Sequence, residues 1–436
     1  MPIAQAQVTS DNTTGTQVTN DAGVAEITGG ETRGDNLFHS FQDFSVPTGG
    51  AAAFNNADNI GNIFSRVTGG NVSNIDGLIS ANGSANLFLI NPAGIMFGEN
   101  ASLNLGGSFY GSTADSIVFE GGEFSAADLD NPPLLTVNAP IGFSFRDNPG
   151  DIASDGATLS VVPETTLALL GGNIDFSGGN IFAFGSDLQL GGLTESGTIN
   201  FNDGSLIFPK LVARGNISFG NGTGVTVQGS EGGSINITAA NLSLTSGTLL
   251  VAGIASDSGF TDAQAGDISI NLTEDLTMDN SAITNSNFGT GNAGNVIVEA
   301  RNILFANGGV IFNTNTGIGN IGGVSILATE DISFEGVSST FFSGVSNVLG
   351  EQATGTLGTI ELTAQNLNLK DGGSISSTVE NNNNSGDITV NIADTIRIDG
   401  NGLITQADGT LGELFSTINS NVSGGNGNSG NIKIDA

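Results

Sequence analysis

The sequence predicts an all-β protein built as a parallel β-helix, a solenoid with about three short strands per coil. Three observations carry this. A short pattern, Gly-x-[Ile/Val]-x-[Ile/Val/Leu], recurs seven times from residue 233. Alternating apolar and polar residues follow each glycine at nearly fixed distances. Helix signals are nearly absent, while Gly supplies 67 of 436 residues, about twice its usual share.

The chain opens Met1-Pro-Ile-Ala-Gln-Ala-Gln7. Ala4-Gln5-Ala6 has the A-x-A form of a signal-peptidase site but lacks the charged and apolar regions that should precede it. It reads either as a chance match or as a signal-peptide remnant over residues 1–6. Residues 29–114 are denser and less periodic. Asn36-Leu-Phe-His-Ser-Phe-Gln-Asp-Phe-Ser-Val46 packs three Phe between polar residues. Arg66-Val-Thr-Gly-Gly and Ile75-Asp-Gly-Leu-Ile-Ser-Ala-Asn-Gly83 follow. Then come Asn86-Leu-Phe-Leu-Ile-Asn-Pro-Ala-Gly-Ile-Met-Phe-Gly98 and Ala101-Ser-Leu-Asn-Leu-Gly-Gly-Ser-Phe-Tyr-Gly-Ser-Thr113.

The repeat glycines are Gly233, Gly266, Gly294, Gly322, Gly358, Gly386 and Gly430, at steps of 33, 28, 28, 36, 28 and 44. A period of 28 with insertions of 5, 8 and 16 accounts for every step. Nine or ten residues after its glycine, a repeat carries a second alternating strand, such as Leu242-Ser-Leu244, Leu276-Thr-Met278 or Leu367-Asn-Leu369. A third follows in several repeats, as in Gly309-Val-Ile-Phe312 and Gly373-Ser-Ile-Ser376. Gly and Asn are expected at the corners because they tolerate φ > 0. Insertions are expected to loop out without breaking the stack. An antiparallel sandwich or propeller fits less well, because the period is short and tight Asn-Gly hairpins between strand pairs are lacking.

Composition excludes several functions. The net charge is 9 − 43 = −34, so a phosphate backbone is repelled and nucleic-acid binding is not expected. Cys is 0 and His is 1, which leaves no thiolate nucleophile, disulfide, Cys-based zinc site or multi-His metal site. No run approaches the ~20 apolar residues of a membrane helix.

The ordered succession of pieces over about residues 7–145 resembles the secretion domain of the two-partner secretion exoproteins, the family of the filamentous haemagglutinins and some haemolysins. The likeness continues more weakly through Leu167-Ala-Leu-Leu-Gly-Gly-Asn-Ile174 and Phe182-Ala-Phe-Gly-Ser-Asp-Leu-Gln-Leu190. One position departs from it. The family's turn is usually Asn-Pro-Asn-Gly, and here Asn91-Pro92-Ala93-Gly94 has Ala third, which cannot make an Asn side chain's bonds. The resemblance implies a right-handed β-helix and export through an outer-membrane β-barrel transporter whose periplasmic POTRA domains read the N-terminal domain. It further implies a secreted or surface protein of a Gram-negative-type bacterium, a non-enzymatic adhesin or haemagglutinin-like rod facing an unidentified receptor. The zero cysteine count suits passage through a pore, and near-identical coils can fold progressively as they emerge.

The expected organisation is a signal-peptide remnant at 1–6, a secretion (haemagglutination-activity-like) domain at 7–145, a β-helix continuation at 146–232, and a repeat β-helix at 233–436 cut short at its C-terminus. Transporter recognition is expected within 29–114, centred on Phe38, His39, Ser40, Phe41 and Phe44 and on the turn Asn91, Pro92, Ala93, Gly94. No catalytic residue, cofactor or metal site is expected. His39, the one histidine, lacks a nucleophile elbow around it. Glu274-Asp275 and Glu330-Asp331 recur at one place in their repeats, which reads as corner chemistry. Arg33, Arg66 and Arg146 read as surface or corner salt bridges. Asn381–Asn384 reads as a flexible corner loop. The rival function is a secreted β-helix polysaccharide lyase or glycoside hydrolase, which would need one non-repeating carboxylate cluster in a cleft.

Overall fold

The computed structural model describes residues 7–130, 133–202, 204–405 and 410–436. The signal-peptide reading of residues 1–6 lies outside the described residues. Every regular element among them is a β-strand. The chain forms two compact units, Met1–Ser218 and Phe219–Ala436.

In the second unit the repeat glycines and the strand ladder have the same steps. Ile235, Ile268, Val296, Val324, Ile360, Ile388 and Ile432 pair in parallel, each with the equivalent residue of the next coil. The first six of these are at most 1% exposed, so each adds about 1.5–3 kcal/mol of apolar burial. A second ladder of the same sheet stacks Leu242, Leu276, Ile303, Ile332 and Leu367, and a ladder in another sheet stacks Leu250, Ile283, Ile311, Val345 and Ile375. That makes three strands per coil, a parallel β-helix. The 16-residue insertion leaves the coil as an antiparallel hairpin, Asn401–Thr405 against Leu411–Phe415.

Tolerance of positive φ accounts for one repeat glycine, Gly233 at 70°, but not for the other six, none of which has a positive φ. That reason holds at the corner after the second strand, where Asn280, Asn307 and Asp371 have φ of 45°, 50° and 51°. At the repeat glycines the constraint is close approach. A Cβ on Gly294 would lie 2.2 Å from the Gly266 carbonyl oxygen, one on Gly322 2.4 Å from that of Gly294, and one on Gly430 2.2 Å from that of Gly386. The glycines form a column in which each coil presses on the one before.

Side-chain amides bind the other corners. The Asp275 amide donates to Asn241 Oδ1 at 3.1 Å, Asn302 Nδ2 to Asp275 Oδ1 at 3.0 Å, and Asn366 Nδ2 to Asp331 Oδ1 at 2.8 Å. Of the carboxylates read as corner chemistry, Asp275 and Asp331 are rungs of this ladder, while Glu274 pairs with Arg301 at 2.7 Å. The Asn381–Asn384 corner is bonded rather than loose: Asn381 Nδ2 donates to the Gly350 and Ala353 carbonyls, and Asn382 and Asn384 accept from the Asn426 and Asn428 amides.

The first unit is a β-helix with two additions. Coils step by 26, 24 and 22 residues along Asn36, Asn62, Asn86 and Ser108, a column in which the asparagine side chains bond in series and the last accepts the Ser108 backbone amide. The next step, Phe109 to Leu167, is 58, because the chain leaves the helix after Thr113. It builds an antiparallel sheet of Gly122–Ser125, Ser116–Phe119, Pro140–Phe145, Gly197–Asn202 and Ser205–Ile207, in that order. The second addition lies at the N-terminus. Gln7–Ser10 pairs antiparallel with Asn36–Ser45 on the edge that Asn62–Val67 leaves free, and Thr16–Asp21 forms a hairpin with Val24–Gly29. Such pairing removes an open strand edge.

The antiparallel sheet explains why residues 29–114 lack clean alternation. It packs on the outer side of the strands Asn36–Ser45, Asn62–Val67, Asn86–Ile90 and Phe109–Ser112, so both of their faces are buried. Leu37, Ile63, Leu87 and Phe109 lie on one face, in register. Phe38, Phe64, Phe88 and Tyr110 lie on the other and stack with centroids 5.1, 4.8 and 4.4 Å apart. Phe119, Phe124, Phe143 and Phe201 of the added sheet close over that stack.

Candidate functional site

The expected recognition residues fall in two places in the first unit. Phe38, His39, Ser40, Phe41 and Phe44 lie on one strand, Asn36–Ser45, and none is more than 1% exposed. Phe38 points into the stack beneath the antiparallel sheet. Phe41, Phe44 and Phe54 pack edge-on and face-on at 5.2 to 6.2 Å, with the His39 ring 5.5 Å from Phe54. His39 Nδ1 shares a 3.1 Å hydrogen bond with Thr16 Oγ1, and burial pushes the ring's pKa down to about 4, so it is neutral at pH 7. In the folded protein these five side chains do not offer a contact surface.

The Asn91–Gly94 turn is more accessible. Asn91 is itself buried: Nδ2 donates to the Asn71 carbonyl at 2.9 Å and to Ser73 Oγ at 2.8 Å. Its Oδ1 accepts the Ala93 amide at 3.0 Å, and its carbonyl accepts the Gly94 amide at 3.0 Å. Asn91 thus fixes the turn through its own side chain. Gly94 takes a φ of 124°, which a side chain would strain. Pro92 and Ala93 are half-buried and border a cavity of about 230 Å³ together with Val67, Thr68, Ala126 and Leu129. Leu129 is 52% exposed at its lip.

Thr68 joins the two places. Its single hydroxyl proton is shared between the Phe41 carbonyl at 3.1 Å and Asp11 Oδ2 at 3.0 Å, while the residue lines the cavity. Asp11 also accepts from Ser40 Oγ at 2.5 Å and from the Thr13 amide and hydroxyl at 2.9 and 2.8 Å. Burial alone would raise the Asp11 carboxyl, but these bonds outweigh it and hold its pKa below the ordinary value.

Arg66 departs from its reading as a surface salt bridge. It is 2% exposed and among the described residues pairs directly with no carboxylate. Nε donates to Ser40 Oγ at 2.8 Å, one terminal nitrogen to Thr13 Oγ1 at 3.1 Å and the other to the Ser125 carbonyl. Its guanidinium carbon lies 4.8 Å from the centre of the Phe124 ring. Burial lowers its pKa, with the Asp11 charge pulling the other way. Arg33 is the surface pair expected, 3.1 Å from Glu31 with both half exposed. Sequence reasoning missed Asp11, Thr13, Thr68 and Ser125. The scarcity of Arg was the one available signal, and it does not reveal which Arg is buried.

Comparison with known proteins agrees with this architecture. The family model of the TPS secretion domain matches residues 6–237, more than half of the chain. Among solved structures, the crystal structure of the HMW1 secretion domain from Haemophilus influenzae aligns with 91% of this chain and 100% of that chain, with a TM-score of 0.50. The identity is 15%, so that likeness is one of fold. No curated protein matches the chain. With an N-terminal β-helix of matching fold and a family match spanning it, the chain belongs to the TPS secretion-domain family, exoproteins that leave Gram-negative bacteria by two-partner secretion with a transporter partner in the outer membrane.

Proposed function

We propose that the chain is the N-terminal part of a non-enzymatic adhesin whose secretion domain is read by the periplasmic POTRA domains of its transporter. The family match over residues 6–237 is the observation that carries this reading. Within it, the strand Asn36–Ser45 and the turn Asn91–Gly94 are the elements the transporter reads. Burial of Phe38, Phe41 and Phe44 favours reading of that strand in the extended, not yet folded chain. The half-exposed lip of Ala93 and Leu129 is the part a folded chain can still present. The coils of residues 233–436 serve as the rod. The family match is also what supports a non-enzymatic role.

Co-expression with the cognate transporter tests the proposal. Secretion should stop when residues 29–114 are deleted and should fall when Ala93→Glu charges the lip of the cavity. Undiminished secretion of the deletion variant sinks it.

A further inference from the structure

Arg66 sits where three distant segments meet. Thr13 belongs to the N-terminal loop, Ser40 to the first coil, and Ser125 with Phe124 to the antiparallel sheet, at sequence separations of 53, 26 and 59. The guanidinium lies on the outward side of the strand Asn62–Val67, where neighbouring Phe64 belongs to the covered stack. A buried cation without a direct carboxylate partner is costly unless each donor is met. Here two of the groups that meet it, the Ser125 carbonyl and the Phe124 ring, come from the excursion that begins after Thr113.

We propose that Arg66 is a latch that couples the N-terminal cap to the antiparallel sheet, so that neither settles without the other. A chain ending near Thr113 holds every strand of the first coils. It would still leave Arg66 without Ser125 and Phe124, and the outer faces of Phe38, Phe64, Phe88 and Tyr110 uncovered. Closure of the cap therefore waits for residues 116–125. The first unit then differs from the repeat coils of the second, whose contacts run mainly from one coil to the next. The consequence for export rests on the proposed secretion route: a segment held open until the excursion arrives stays threadable for longer. The coupling itself is a property of the folded chain, so it stands or falls without any secretion assay.

Thr13 gives the sharper handle. All its side-chain hydrogen bonds run to Asp11 or Arg66, and it lies at the surface. Hydrogen exchange of the 436-residue chain, read by mass spectrometry, should show the coupling in Thr13→Ala. Exchange should rise about threefold or more in Gln7–Thr16 and also in Gly122–Ser125, to which Thr13 makes no hydrogen bond. Arg66→Met should raise both by about tenfold or more, Arg66→Lys by less, and all three should leave Asn86–Ile90 within about twofold. An effect of Thr13→Ala confined to residues 7–16, or a uniform rise across the first unit, overturns the latch. Should Arg66→Met fail to fold, Thr13→Ala decides alone.

Discussion

Mild acid should weaken the first unit through one side chain. His39 is 1% exposed, held between Phe41 and Phe54, and bonded through Nδ1 to Thr16. Its pKa falls from 6.5 to about 4 because burial disfavours the charged ring. The unfolded chain therefore takes up the proton before the folded one does. Above pH 6.5 both states hold a neutral ring and nothing changes. Stability falls as pH drops below 6.5 and levels off below about 4, where both are protonated. Two such pKa values give a loss of about 2 kcal/mol between pH 7 and pH 5. The assay is urea unfolding followed by tyrosine emission, since Tyr110 is the single Tyr, Trp is 0, and Tyr110 stacks on Phe88 within this unit. His39→Gln, which cannot titrate, should be flat over the same interval. Asp11, held below its usual 3.8, loses its stabilising share only as pH falls below that value, so it does not confuse the reading. A wild-type protein equally stable at pH 7 and pH 5, or a His39→Gln variant with the same slope, would refute the reasoning.

Three further outcomes follow from packing and charge. Phe64→Ala empties the middle of a stack that is covered on both sides and should cost about 3–5 kcal/mol in the same tyrosine-monitored melt. Gly294→Ala puts a methyl 2.2 Å from a backbone oxygen that cannot step aside, so limited proteolysis should find new cleavage in the coils around residues 266–322. Arg301→Gln removes ion pairs to Glu274 and Asp275 that are all about two-fifths exposed, and calorimetry should register less than about 1 kcal/mol.

Much of the second unit was legible because its constraint is local and repeated. Ile268, Val296 and Val324 each follow their glycine by two residues, and the ladder register follows the glycine spacing directly. The first unit was legible in kind but not in detail. Its strands read as dense because they are buried on both faces, and the rings that cover them lie from 33 positions away, Tyr110 to Phe143, to 113, Phe88 to Phe201. Ser116–Phe119 and Pro140–Phe145 look like any other short strands; only their antiparallel partners distinguish them. The five residues Phe38–Phe41 and Phe44 stood out by composition, yet that signal does not separate a side chain offered to a partner from one folded inward.

The sequence by itself determined the all-β class, the three-strand coil, the 28-residue register and which repeats carry insertions. These depend on periodic side-chain chemistry that each coil states for itself. Tertiary structure alone decided that the repeat glycines answer to close approach between coils, that an antiparallel sheet seals the first coils, and that Arg66 is buried among Thr13, Ser40 and Ser125. Each of these depends on which distant segment comes to lie against a residue, and a linear pattern carries no term for that.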